Sequence, residues 1–419
     1  MAQRTILCLI DLNMIFIVKF FLSVSMFARI VTVAVSAFAF SETGEPRLAD
    51  TALFSWPQSK GTSTMPPDAP APSMPQSSPP IKLLKQIAAY RTSQCIRAVV
   101  ELGIPRFLEQ GPRPADELAR VANAHPELLA RVLDHLVNEE VFGRDEDGRY
   151  FNLPASRFLV PGHTHSLHPW VTFELDPLYW RAWERLAEQL RTNKPAFELA
   201  HGRSFFEWLA EDDAARKRFD DEMRAVSKAM GGVVVGHLRF PEGTTIVDVG
   251  GGDGSLLAQV LVRNPGTKGL LFELPRADDT LDPLFKELMA NDRASLEHGS
   301  FFEKTPSNGD AYIFSRVFHD FDDEVVQQIL ANTRAVMKGH ERLFVVDIMR
   351  DPLKPKPGES AQDILMLVLL GGRERTPEEF SELFSSSGFA TVSVTPTESP
   401  LSILEFCRSA EDPKQKFSA

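Results

Sequence analysis

Cysteine is scarce in this chain: Cys8, Cys95 and Cys407 are spread over 419 positions. Their separation offers no metal-ligand spacing and no disulfide framework. A reducing compartment, the cytoplasm, is the expected home. No run of about 18 uncharged apolar residues occurs, so a clean membrane-spanning segment is missing. Positive charge is also short: 45 Lys and Arg against 57 Asp and Glu leave a formal net charge of −12. That balance argues against a nucleic-acid backbone as the main partner. What remains, 43% hydrophobic and 24% charged residues, is an ordinary globular composition in a chain long enough for two domains.

The first 80 residues differ from the rest. Residues 6–40 are strongly apolar but are interrupted by Asp11, Lys19 and Arg29. A signal peptide wants one short apolar core, and this stretch is too long and too broken. Residues 56–80, WPQSKGTSTMPPDAPAPSMPQSSPP, are rich in Pro and Ser and read as a disordered linker with little to bury. Two readings stay open for the apolar part: a membrane anchor confined to residues 1–40, or a start at Met65 with the upstream stretch not native. The second is preferred.

Folded pattern begins near Ile81. Leu83, Leu84, Ile87 and Ala88 recur at helical spacing. Pro114 with Asp116, and then Pro126, suit two further helix starts. RDEDGR is a turn between VFG and YFNL, so residues 81–165 read as helix, turn, helix and hairpin, a winged-helix pattern. Its second helix carries Glu127, Asp134, Glu139 and Glu140, too acidic for a DNA-reading helix. Packing or dimerisation is the expected role. Residues 166–235 form a helical linker dotted with aromatics and methionines. Phe173, Trp183 and Met223 each read first as core. As a group beside a catalytic sheet, some would line an apolar pocket for a flat ligand.

Residues 236–410 carry the chemistry. TIVDV is a short β-branched run, GGGDG follows, and SLLAQVL resumes helical spacing with Ser255 as a candidate cap. Strand, glycine turn and helix open a doubly wound α/β fold, whose ligands sit at the carboxyl ends of the strands. Gly250, Gly252 and Gly254 let the backbone approach a ligand. A dinucleotide fingerprint wants G-x-G-x-x-G, and the spacing here is G-x-G-x-G preceded by Asp248. A second strand, TKGLLFELP, ends in Glu273, an acid able to accept from ribose hydroxyls. GDAYIFSRVF reads as another strand and delivers His319 at its carboxyl end. RLFVVDIM delivers Asp347, and GGRERTPEEF holds Glu374 ahead of a Thr376–Glu379 capping box. One histidine and two carboxylates thus converge, an arrangement that makes an imidazole a base for a phenol-like hydroxyl.

The segment from Ile81 to Ser402 resembles the plant- and fungal-type small-molecule O-methyltransferases, the caffeic acid O-methyltransferase-like family. VDVGGGDGS, LFELP, SRVFHDFDDE and LMLVLLGGRERTPEEF stand in that family's order and spacing. The resemblance implies a Rossmann-like, S-adenosyl-L-methionine-dependent catalytic domain behind a winged-helix dimerisation domain, assembled as a homodimer. It implies His319 as general base, oriented by Asp347 and Glu374, and no metal. It places Asp248, Gly250, Gly252, Gly254, Glu273, Ser300, Phe301 and Ser315 around the cofactor. It places Phe173, Trp183, Met223, Asp320 and Met366 around a small aromatic acceptor. Three positions depart from the family. Ser300 stands where an acid often meets the adenine, Ser315 stands where the plant enzymes often have lysine, and Asp347 replaces the commoner glutamate. The expected activity is methyl transfer to a hydroxyl of a phenolic or polyketide metabolite. Two rivals are a catalytically silent dimeric relative and a nicotinamide oxidoreductase.

Overall fold

A computed structural model describes residues 79–163, 165–275, 281–354 and 358–409. The expectations for residues 1–78, the apolar segment and most of the linker, lie outside the described residues. No described helix is long and apolar enough to cross a membrane.

The chain enters through helices Pro79–Ala88 and Tyr90–Glu101, then short helices Ala115–Val121 and Pro126–Asn138. Leu129, Leu133 and Leu136 fall on one face of the last helix and are buried, the apolar stripe of an amphipathic helix. They close a small core with Val99, Ile104, Leu118 and Phe142. Strands β1 (Phe142–Arg144) and β2 (Tyr150–Asn152) pair antiparallel, with Gly143 opposite Phe151. The expected hairpin across RDEDGR is therefore present.

Residues 154–211 run through short helices, and a 25-residue helix, Asp213–His237, follows. Asp212 caps it by accepting from the Ala215 N–H. The far end of this helix, Val234 and Val235, packs against Leu257 and Leu261 of helix Ser255–Arg263 under the main sheet. A second core of the helical region gathers Phe173, Tyr179, Phe197, Phe205 and Leu209 against Leu365, Met366 and Leu369.

The main sheet contains β3 (Thr245–Val249), β4 (Lys268–Glu273), β5 (Ala294–His298), β6 (Ala311–Ser315), β7 (Arg342–Ile348), β8 (Phe389–Pro396) and β9 (Leu401–Arg408). Their order is β5-β4-β3-β6-β7-β9-β8. The first five strands in this order are parallel, and β9 runs antiparallel to both its neighbours. Strand order reverses between β3 and β6, the switch point where a doubly wound sheet opens a crevice. Ile246, Val247 and Val249 of β3 are fully buried, as a strand covered on both faces must be.

Beyond β7, a clasp holds the crevice in shape. Met349 bridges to Arg375, and Arg375 is completely buried. Its Nη1 donates to the Phe318 carbonyl at 2.7 Å, and its Nη2 to the Phe321 carbonyl at 2.8 Å. Nε and Nη2 both reach Asp323 Oδ1, at 3.0 and 2.8 Å. The Arg373 N–H donates to the His319 carbonyl at 3.0 Å. At Gly372 any Cβ would stand 2.1 Å from that same carbonyl oxygen, so a side chain cannot fit between the two loops.

Asp323→Ala should lower stability by roughly 2–3 kcal/mol, less than the ~3–5 kcal/mol for breaking a fully buried pair, because Asp323 is 46% exposed. Urea unfolding followed by tryptophan fluorescence reads this. An unchanged midpoint would show the clasp to be energetically idle.

Candidate active site

Every candidate polar group of the catalytic domain sits at or just beyond the carboxyl end of a parallel strand. β3 delivers Asp248 and the glycine turn, β4 delivers Glu273, β6 delivers Ser315, and β7 delivers Asp347. A 3₁₀ turn, Phe318–Asp320, carries His319. Glu374 arrives on the clasped loop, its N–H donating to Asp363 Oδ1 at 2.9 Å.

A cavity of about 290 Å³ opens over the glycine turn. Asp248, Gly250, Gly252, Glu273, Ser300, Phe301 and Ser315 all line it. Gly254 does not. It packs against Phe285 and Leu271 at the helix start, so close that a Cβ would lie 2.9 Å from the Phe285 ring. The expected Ser255 cap is also absent: helix Ser255–Arg263 starts from Gly254, and Asp253 Oδ1 accepts from the Ser255 N–H. Glu273 Oε2 accepts from the Gly252 N–H at 2.9 Å, which fixes its carboxylate over the turn. Ser300 Oγ accepts from the Phe302 N–H at 3.3 Å.

Two observations make this cavity fit an adenosyl amino acid. Gly250 has φ +70°, and a Cβ there would come within 3.2 Å of Val317 and 3.3 Å of Phe301, narrowing the floor. Asp248 is fully buried, and neither carboxylate oxygen has a hydrogen-bond partner. Burial, then the charges of Glu273 and Asp253, push its pKa up to about 7. An orphaned buried acid at the cavity wall is an acceptor awaiting a donor.

A second chamber of about 80 Å³ adjoins the first. Phe206, Phe219, Met223, Arg316 and Asp320 line both. Phe173, Met366 and His319 line the second. Trp183, expected here, is instead packed against the helical core around Tyr179 and Phe197. The helix it ends buries Tyr179 and Ala182, and Trp183 is half-buried against that core without lining the chamber.

His319 is 2% exposed. Its Nδ1 lies 2.9 Å from Glu374 Oε1 and 3.4 Å from Asp347 Oδ1, and its Nε2 lies 3.4 Å from Asp320 Oδ1. Burial raises Glu374 to about 8 and both Asp347 and Asp320 to about 6, with the charge of His319 holding the two aspartates lower than burial alone would. One histidine and three carboxyl groups thus share a dry site. Donor atoms of His319, Asp347 and Glu374 fall within 4.8 Å of one another, a spacing that a metal ion could also use.

Three polar groups of the second chamber were not singled out from the sequence. Arg316 follows β6 with φ 56°, a left-handed backbone in a residue with a Cβ. Its N–H donates to the Val346 carbonyl at 2.9 Å, which ties the kink to β7. Glu174 and Glu222 also line the chamber. For Glu222 a signal existed: it stands three residues after Phe219 and four before Val226, an acid on the inward face of its helix.

Known proteins resemble this chain in sequence and in fold. Residues 183–390 match an O-methyltransferase domain, and residues 84–162 match an O-methyltransferase dimerisation domain. The chain is 36% identical over 319 residues, 76% of its length and 91% of the relative's, to a mitomycin biosynthesis 6-O-methyltransferase of Streptomyces lavendulae. It is 35% identical over 324 residues, 77% of its length and 94% of the relative's, to the phenazine O-methyltransferase PhzM of Lysobacter antibioticus. A solved O-methyltransferase of neocarzinostatin biosynthesis, in complex with S-adenosylmethionine and 2-hydroxy-5-methyl naphthoic acid, superposes with a TM-score of 0.68. That likeness has 28% identity and covers 78% of this chain and 98% of the other.

The buried acids also set a pH dependence. Glu222 is raised from an ordinary 4.5 to about 9 by burial, then by the charge of Glu174, with Arg316 opposing. A carboxyl raised on folding gives stability that is whole below its unfolded pKa and lost as pH rises through the folded one, by up to about 1.4 kcal/mol per pH unit. Urea stability of the ligand-free protein should therefore fall from pH 6 to pH 9. Glu222→Gln, which has no proton to lose, should fall less steeply. Parallel slopes would place Glu222 in water.

Proposed function

This chain belongs to the O-methyltransferase family and is an S-adenosylmethionine-dependent methyltransferase, and we propose that it methylates a hydroxyl of an aromatic secondary metabolite with His319 as general base. The observation that carries the proposal is the buried His319, held at Nδ1 by Glu374 at 2.9 Å, in the wall of the second chamber next to Asp320, which lines both chambers. Family membership decides against the oxidoreductase reading of the glycine turn.

In this proposal Glu273 would accept from the ribose hydroxyls, and the glycine turn and Phe301 would cradle the rest of the cofactor. When bound, S-adenosylmethionine supplies an electrophilic methyl group. The aromatic acceptor lies between Phe173, Met223 and Met366 in the second chamber. With Glu374 ionised, Nδ1 keeps its hydrogen and donates it to Glu374, which leaves Nε2 with a lone pair. Nε2 takes the proton of the acceptor hydroxyl, and Asp320, 3.4 Å from it, stabilises the imidazolium that forms. Asp347, 3.4 Å from Nδ1, does the same from the other side. The dry chamber strengthens each of these interactions and keeps water from competing for the base. A homodimer formed through residues 81–165 is part of the proposal. It is supported by Leu83, Leu84 and Ile87, all exposed on helix Pro79–Ala88.

The test is transfer of a labelled methyl group to a panel of phenols. His319→Gln should lower the rate by ~10²–10⁴-fold, the usual weight of a positioned base, while calorimetry shows S-adenosylhomocysteine still bound. A variant that transfers at the wild-type rate would refute base catalysis. Cofactor binding without transfer to any phenol would favour the silent-relative reading.

A further inference from the structure

The second chamber contains chemistry that proton removal does not use. Glu222 is 3% exposed and lines the chamber wall, and its Oε2 has no hydrogen-bond partner. Glu174, the last residue of helix His168–Glu174, lines the same wall. The two helices that carry them pack against each other, through ring contact of Phe173 with Phe219 at 5.8 Å between centroids. A lone carboxyl of this kind is costly to bury, because each lost water contact goes unreplaced. Two of them near one another are costlier still. Removing either would relieve the cost unless something in the chamber uses them.

We propose that Glu222 and Glu174 form a recognition site for an amine nitrogen on the aromatic acceptor, remote from the hydroxyl that faces His319. This rests on the reading of the second chamber as the acceptor site, and it adds a substrate class: hydroxylated aromatics that also carry a basic amino group. The nitrogen supplies the N–H donors that Glu222 Oε2 lacks. Its positive charge compensates the paired acids, as charge-assisted hydrogen bonds in a dry site do. Trp170, Phe173, Phe205 and Phe219 stand on the same wall, and their ring faces favour a cation over a neutral group. Burial raises Glu174 to about 7 and, with the charge of Glu174 added, Glu222 to about 9. Arg316 is the one arginine or lysine among the described chamber-lining residues, and its charge holds Glu222 lower than burial alone would. It leaves Glu222 Oε2 without a hydrogen-bond partner, so the acids still have room for a ligand's donor.

The experiment compares two probes that differ in one group, 4-(2-aminoethyl)phenol and 4-ethylphenol. Each is titrated by calorimetry into the full chain saturated with S-adenosylhomocysteine, so binding is read without turnover. The amine should bind ~10-fold more tightly, the scale of one charge-assisted hydrogen bond. Glu222→Gln should erase most of that ratio, and Glu174→Gln part of it, while both variants still bind S-adenosylhomocysteine, which certifies their fold. Equal binding of the two phenols, preference for 4-ethylphenol, or an unchanged ratio in Glu222→Gln would overturn the proposal and leave the acceptor site standing. Binding of neither phenol would overturn the acceptor-site reading itself, and this inference with it.

Discussion

A guanidinium buried to the last atom governs the geometry of this site. Arg375 cannot lose its proton, so its charge must be met inside the protein. It is met by the carbonyls of Phe318 and Phe321 and by Asp323, which bracket His319 in sequence. Any movement of the Phe318–Asp323 loop would strip an acceptor from a buried cation. The same strand-like segment that carries Arg375 carries Glu374, one residue earlier. A single constraint therefore fixes both members of the His319–Glu374 pair, and the 2.9 Å hydrogen bond follows from it. Gly372 completes the contact, because only a residue without a side chain lets the two backbones approach this closely.

Placing three carboxyl groups around one imidazole creates a question of charge. Fully ionised, Asp320, Asp347 and Glu374 would repel one another in a medium that screens poorly. Burial answers by lifting all three above their ordinary range, Glu374 furthest, to about 8. The proton on Glu374 then decides the tautomer of His319. An ionised Glu374 accepts from Nδ1–H and frees Nε2, while a protonated one donates to Nδ1 and moves the ring hydrogen to Nε2. In the proposed mechanism the base is competent in the first state. A cationic ligand in either chamber favours that state, since positive charge nearby lowers a carboxyl pKa. In the proposed mechanism, a cationic ligand would thus favour the ionised Glu374 that readies the base.

Much of this was legible in the sequence because strands of a doubly wound sheet announce themselves. TIVDV, LLFEL, AYIFS and LFVVD are short apolar runs with a candidate polar residue at or next to the carboxyl end, and each contributes a parallel strand. Local chemistry was also readable, as at the Thr376–Glu379 capping box. What could not be read depends on distant partners. Arg375 lies inside GGRERTPEEF and looks like any solvated loop charge, yet its partner Asp323 is 52 positions away. The final hairpin, β8 with β9, was passed over because ATVSVTP is exposed on one face and shows little apolar run. Trp183 and Phe173 have the same helical spacing and the same apolar character, and only the packing of short helices decides which faces the chamber. Gly254 and Ser255 show a similar limit. The turn was recognised, but its division between ligand approach and helix packing is set by Phe285, which arrives from a later helix.

Helices Phe205–Glu211 and Asp213–His237 line both chambers, while Asp248 and Glu273 at the ends of β3 and β4 line only the first. In the proposed reading the polar groups of the cofactor side come from the ends of β3, β4, β5 and β6, strands whose register is fixed by backbone pairing. Acceptor-side residues Phe173, Glu174, Phe205, Phe219 and Glu222 come from the helices between residues 168 and 237, with Met366 from helix Glu359–Leu370. In the proposed mechanism the place of the methyl donor is set by the sheet, where a shift of one residue would move every side chain to the other face, and that of His319 by the Arg375 clasp. Acceptor shape and charge are properties of helix surfaces, where a substitution repacks one wall and leaves the pairing of β3 with β6 untouched. Met223, Arg316 and Asp320 stand on the boundary and answer to both. Arg316 is held there by a strained backbone tied to Val346, so its position is set by the sheet while its side chain lines both chambers. In the proposed reading, substitution of Glu222, which lines only the second chamber, would change what the enzyme methylates and leave the His319–Glu374 pair in place.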